Sequence, residues 1–165
     1  MANKLHSESL NISKVLKEDG VYAYGFGHIA KVAMLDRDLS CAAKGIYGYF
    51  CSFANSKNAA YPKISTILND LGINKRTYYK HFDLLTENGY ITIQKAEGFK
   101  NKNIYVINEY VNKVNCELTD NDCSESAFVV DGIKTFGYGT IPKLIMIDKR
   151  LTIKAKALMA FLLSI

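Results

Sequence analysis

Lys75, Arg76, Thr77, Tyr79 and Lys80 crowd into six consecutive positions of the chain. They supply a guanidinium, two ammonium groups and two hydroxyls. A guanidinium presents a planar fork of donors that fits a phosphate or the edge of a base, and an ammonium acts as a compact point charge. The chemistry on offer is therefore anion contact and hydrogen-bond donation. Three more cations, Lys95, Lys100 and Lys102, flank a turn rich in glycine and asparagine, AEGFKNKN, and Lys63 precedes the first set.

The sequence around these residues predicts the elements that hold them. Ile64, Ile67, Leu68 and Leu71 recur at helical spacing and fix one face of a short helix. Pro62 suits its start, because the first helical N–H has no partner there. Gly72 ends it, and Asn74 is placed to cap a second helix. In that helix Tyr78, Phe82 and Leu85 form an inward stripe, and Gly89 stops it just after Asn88. The face left over carries the five donors, nearly all in the first two turns. Two short helices with a glycine turn form a helix-turn-helix, whose second helix is shaped to enter a major groove. Ile91 to Gln94 then alternates apolar and polar, as a half-buried strand does, and Ile104 to Ile107 is β-branched and aromatic. A helix-turn-helix followed by a hairpin is a winged helix. Upstream, Ser40 is placed to cap a helix running to about Ala54, with Ala43, Ile46, Tyr47 and Phe50 as its buried stripe.

Charge is distributed as this reading requires. The net charge is +5, yet from Ser56 to Asn103 eight Lys/Arg stand against four Asp/Glu. The acids concentrate in residues 112–127, NKVNCELTDNDCSESA, which carry one lysine against four acids and read as a linker. Residues 1–18 are polar and expected to be mobile. No apolar run approaches the roughly 20 residues needed to span a bilayer, and the N-terminus lacks the apolar core of a signal peptide. Cys41, Cys51, Cys116 and Cys123 make no C-x-x-C pair, which predicts a reducing cytoplasm and no metal site.

Past the linker the chain repeats itself. Residues 131–165 align without gaps on residues 19–53 at a constant offset of 112, with 12 identities in 35 positions. The expected organisation is a winged helix-turn-helix domain over 19–111, a linker over 112–127, and a truncated second copy over 128–165. The fold class is α+β, mainly α. The tail from Leu151 to Ile165 should be a helix with Ile153, Ala157, Leu158, Phe161 and Leu162 facing inward. Open apolar surface is costly, so that helix must pack on the first domain, pair between chains, or stay disordered and sticky, and pairing into a homodimer is the expectation.

Other patterns carry less. Gly25, Gly27 and Ala30 match G-x-G-x-x-A, but no buried strand precedes them and no βαβ context follows, so the glycines are read as a tight entry into the fold. His6, His28 and His81 do not cluster; His81 has both a phosphate-contacting and a partly buried structural reading. Tyr22, Tyr24, Tyr47, Tyr49, Tyr78 and Tyr90 fall at or near core stripes, while Tyr79 faces outward. No catalytic triad or carboxylate pair is legible, so no enzyme activity and no cofactor are expected.

The phrases GYGTIPKLIMIDKRLTIKAKALMAFL, AKGIYGYFCSFA, YPKISTILNDLGI and TYYKHFDLLTENGYI resemble winged helix-turn-helix proteins of Gram-positive plasmids, conjugative elements and phages. They are similar to the N-terminal domains of plasmid replication initiators and to the DnaD-like replisome-organiser group. By that resemblance Asn74, Lys75, Arg76, Thr77, Tyr79 and Lys80 form the DNA-facing set. Lys63 departs from it, standing where a Ser/Thr cap is common. The implied function is sequence-specific binding of double-stranded DNA by a homodimer, with no membrane, in replication initiation or maintenance of a mobile element. Replication or partition proteins are implied partners. The alternatives are a transcription regulator and a protein-interaction module.

Overall fold

The computed structural model describes residues 22–95, 103–109, 111 and 137–165. The expected mobile N-terminus, the wing turn with Lys100 and Lys102, and the acidic linker lie outside the described residues.

Helix α2 (Cys41–Phe53) sits at the centre. Ser40 caps it, its Oγ accepting the Ala43 N–H at 3.1 Å. The expected stripe is buried: Ala43, Ile46, Tyr47 and Phe50 are 0–1% exposed. Burial does not stop at that stripe, because Gly45, Gly48, Tyr49, Cys51 and Ser52 are buried too. A helix enclosed all round has neighbours on both sides.

On one side lies the expected winged helix. Strand β2 (Ala59–Ala60) precedes α3 (Ile64–Leu71) and α4 (Lys75–Glu87), and β3 (Ile91–Lys95) and β4 (Asn103–Ile107) form the hairpin. The sheet order is β2-β4-β3, antiparallel throughout. Its core is aromatic. The Phe50 ring lies 4.5 Å from that of Tyr105 and 5.7 Å from that of Phe82, and Tyr78 stacks on Phe82 at 5.2 Å. Each such side chain contributes about 1.5–3 kcal/mol by leaving water.

Three expectations need correcting here. Helix α3 begins at Ile64, two residues after Pro62, with Lys63 in the cap position and no side-chain cap. Ile93 is 44% exposed, because β3 runs out past the core as a wing strand. Tyr22 and Tyr24 are 37% and 68% exposed and belong to no core stripe.

On the other side of α2 a second unit packs. The glycine segment read as a tight entry is strand β1 (Phe26–Ala30), followed by α1 (Lys31–Leu35). Strand β5 (Tyr138–Pro142), α5 (Lys143–Ile147) and α6 (Ile153–Ser164) follow the same order, each starting 112 residues later. The strands pair antiparallel with Phe26 facing Pro142, Ala30 facing Tyr138, and His28 facing Thr140, its own counterpart in the repeat. Such a register places a local twofold axis at the His28–Thr140 pair. The surrounding contacts are reciprocal in the same way. Lys31 N donates to Gly137 O at 3.0 Å and Lys143 N to Gly25 O at 2.9 Å. A Cβ on Gly27 would overlap the Cys51 carbonyl, and one on Gly139 would overlap the Leu163 carbonyl, so each helix lies directly against its own strand.

Helices α2 and α6 meet through small residues. A Cβ on Gly45 would come 2.9 Å from Ile153 Cγ1, and one on Gly48 would come 3.3 Å from Ala160 Cβ. The tail is thus helical as expected, but it packs on α2 of its own chain. Its buried residues are Lys156, Ala157, Ala160 and Ser164, whereas Leu158 and Leu162, expected inside, are 58% and 57% exposed. The small side chains face α2 because only they permit the close approach.

Candidate nucleic-acid interface

The turn between α3 and α4 is fixed by backbone chemistry. Gly72 adopts φ 63° and ψ 36° at the end of α3, a left-handed conformation that glycine takes without a Cβ penalty. The Ile73 N–H then donates to Leu68 O at 3.1 Å. Asn74 caps α4, its Oδ1 accepting the Thr77 N–H at 2.7 Å. The side-chain oxygen of Asn74 is therefore committed to the cap.

Helix α4 divides as its sequence predicts. Tyr78, Phe82 and Leu85 are 0–2% exposed and face the core. Lys75, Arg76 and Lys80 are exposed, Thr77 is half-buried, and Tyr79 is 39% exposed with the Lys75 ammonium 5.9 Å from its ring centroid. Lys63 is exposed at the start of α3, and Lys95 is exposed at the end of β3. Lys100 and Lys102 are outside the described residues.

The charges on α4 run against the stability of the helix. Its first turn holds no acid and its last turn no base. Lys75, Arg76 and Lys80 sit at the end where the helix dipole is already positive, while Asp83 and Glu87 occupy the second half. The opposite arrangement would stabilise the helix by a few tenths of a kcal/mol to about 1 kcal/mol at each end. The arrangement present concentrates positive potential and exposed cationic side chains at one end, which favours an anion there.

His81 resolves to its structural reading. Its Nδ1 lies 2.8 Å from Ser40 Oγ, so it ties α4 to the cap of α2. Burial, and then the neighbouring Lys80, lowers its pKa from the ordinary 6.5 and favours the neutral ring. The Tyr78 hydroxyl is buried beside Tyr105. Burial first, and Tyr105 next to it, raise its pKa well above the ordinary tyrosine value.

Two contacts to the motif come from residues the sequence did not mark. Lys156, fully buried on α6, donates from Nζ to the Asp70 carbonyl near the end of α3. Lys149 donates to Asn69 Oδ1 at 3.2 Å. The repeat held a signal for Lys156, since Lys44 recurs there, but only the packing of α6 on α2 shows what it reaches. Among the described residues no group of three or more His, Cys, Asp and Glu is placed to hold a metal ion, and no helix is long and apolar enough to cross a membrane.

Residues 37–91 match a family described as a helix-turn-helix domain, a span that takes in α2, α3 and α4. With the hairpin that follows, this part of the chain has the architecture of a winged helix-turn-helix, one widely used to bind DNA. No curated protein and no solved structure matched the chain.

Proposed function

We propose that the chain binds double-stranded DNA sequence-specifically, with α4 in the major groove, and that it serves replication initiation or maintenance of a plasmid or other mobile element. The observation that carries the DNA reading is the outward start of α4, where Lys75, Arg76, Tyr79 and Lys80 stand on a dipole end already positive. Arg76 is the base-reading residue, because its two parallel donors fit the N7 and O6 of guanine. Lys63, Lys75, Lys80 and Lys95 contact phosphates and position the protein without reading sequence. The role in a mobile element rests on the resemblance of the quoted phrases to plasmid and phage proteins.

The test is quantitative binding to the best site obtained by selection from random DNA. Arg76→Ala should lose about 1–3 kcal/mol on that site and blur the preference at one base pair. Lys80→Ala should weaken specific and random DNA alike and lower the salt slope by about one. Unchanged binding in both variants would exclude α4 as the reading helix. Affinity independent of salt would point instead to an apolar docking module.

A further inference from the structure

The two outer faces of the α2–α6 pair differ sharply. On α2, Ala43, Ile46, Tyr47 and Phe50 are 0–1% exposed beneath the helix-turn-helix and its sheet. Their counterparts on α6 are Ala155, Leu158, Met159 and Leu162. Leu158 and Leu162, one turn apart, are 58% and 57% exposed, and Ile165 beyond them is 69% exposed. The strand register and the Lys31–Gly137 and Lys143–Gly25 hydrogen bonds, by contrast, are matched across the twofold. The open face of α6 is therefore the position in which α2 carries α3 and α4.

A second set of residues marks the same place. Lys149 and Lys156 reach across from the α5–α6 unit to Asn69 and Asp70 of α3. Their twofold mates are Arg37 and Lys44, on the α1–α2 side. Arg37 is exposed and Lys44 half-buried, so two cations stand where the end of a second α3 would lie.

We propose that this face of α6 is the seat of a second helix-turn-helix unit. The unit presents an aliphatic and aromatic stripe of the kind that Ile67, Leu71, Tyr78 and Phe82 present to α2. Leu158, Leu162 and Ile165 receive the stripe, and Arg37 and Lys44 meet the end of its first helix. Seated so, the two recognition helices are related by the axis at His28 and Thr140 and address an inverted pair of half-sites. That last consequence rests on the DNA reading above; the seat itself does not.

The test extends the full chain with a second copy of its own residues 54–111, joined directly after Ile165, the counterpart of Phe53. Segmental isotope labelling of the added copy allows its amide exchange to be followed separately. Its α4 amides should be protected to within about tenfold of those in the first copy. Leu158→Asp with Leu162→Asp should return the added copy to unfolded-chain exchange rates. The same pair placed in the 165-residue chain should leave it folded with only a small drop in melting temperature, because both side chains are mostly exposed there and the cost is that of two acids late in a helix. An added copy that is unprotected, or protected equally with both aspartates in place, overturns the proposal. So does a 165-residue chain that is dimeric by light scattering and becomes monomeric with the two aspartates, because the face would then be a seam between copies.

Discussion

At the scale of single residues, His81 has a measurable consequence. Ser40 Oγ accepts the Ala43 N–H and lies 2.8 Å from His81 Nδ1, so the neutral ring completes a link between α2 and α4. Its folded pKa lies below the ordinary 6.5. A base with a depressed pKa binds fewer protons folded than unfolded, so its contribution to stability is present above pH 6.5 and is lost as pH falls below it. The melting temperature should therefore drop between pH 7 and pH 5, and His81→Gln should remove part of that drop. Parallel pH profiles for the two proteins would show that His81 carries none of it. Both readings of this histidine were open in the sequence because the partner, Ser40, lies 41 residues away. Tyr22 and Tyr24 differ from the expectation for the related reason that an aromatic residue signals burial only when an element packs over it, and among the described residues none does.

At the scale of elements, α4 offers a separation of stability from function. Lys75→Glu places an acid in the first turn, where the dipole favours it, and should stabilise the fold by about 0.3–1 kcal/mol at low salt. The same change should weaken DNA binding, since it removes a cation and adds an anion at the proposed groove-facing end. Urea unfolding and a binding titration on one preparation check both halves. Loss of stability together with loss of binding would mean that Lys75 supports the fold. The helix-turn-helix was legible to within two residues because its signals are local: a glycine stop at Gly72, an asparagine cap at Asn74 and a stripe spaced four and three residues apart. Strands β1 and β5 were not legible. Their partner is more than a hundred residues distant, and two of their residues are glycines chosen for the helix carbonyl that passes over them. The similarity at an offset of 112 residues was plain in the sequence, but not that the two similar stretches would pack on each other.

At the scale of the molecule, α2 is shared. One side of it carries the aromatic core of the winged helix, and the other carries α6 through Gly45, Gly48 and Ala160. Neither unit is insulated from the other, because displacing α2 towards one neighbour strains it against both. Lys156 adds a direct tie, reaching from α6 past α2 to the end of α3. The described residues should therefore unfold as one cooperative body. Ala160→Leu tests this. Gly48 lies close enough that a Cβ on it would already stand 3.3 Å from the Ala160 Cβ, so the larger side chain has no room. Overpacking of this kind costs about 1–3 kcal/mol. If α2 couples the units, amide exchange in α4 and in β4 should quicken along with that in α6, and by a similar factor. If instead only β5, α5 and α6 loosen while the winged helix keeps its protection, the two sides of α2 are independent and the tail is an appendage rather than part of the core.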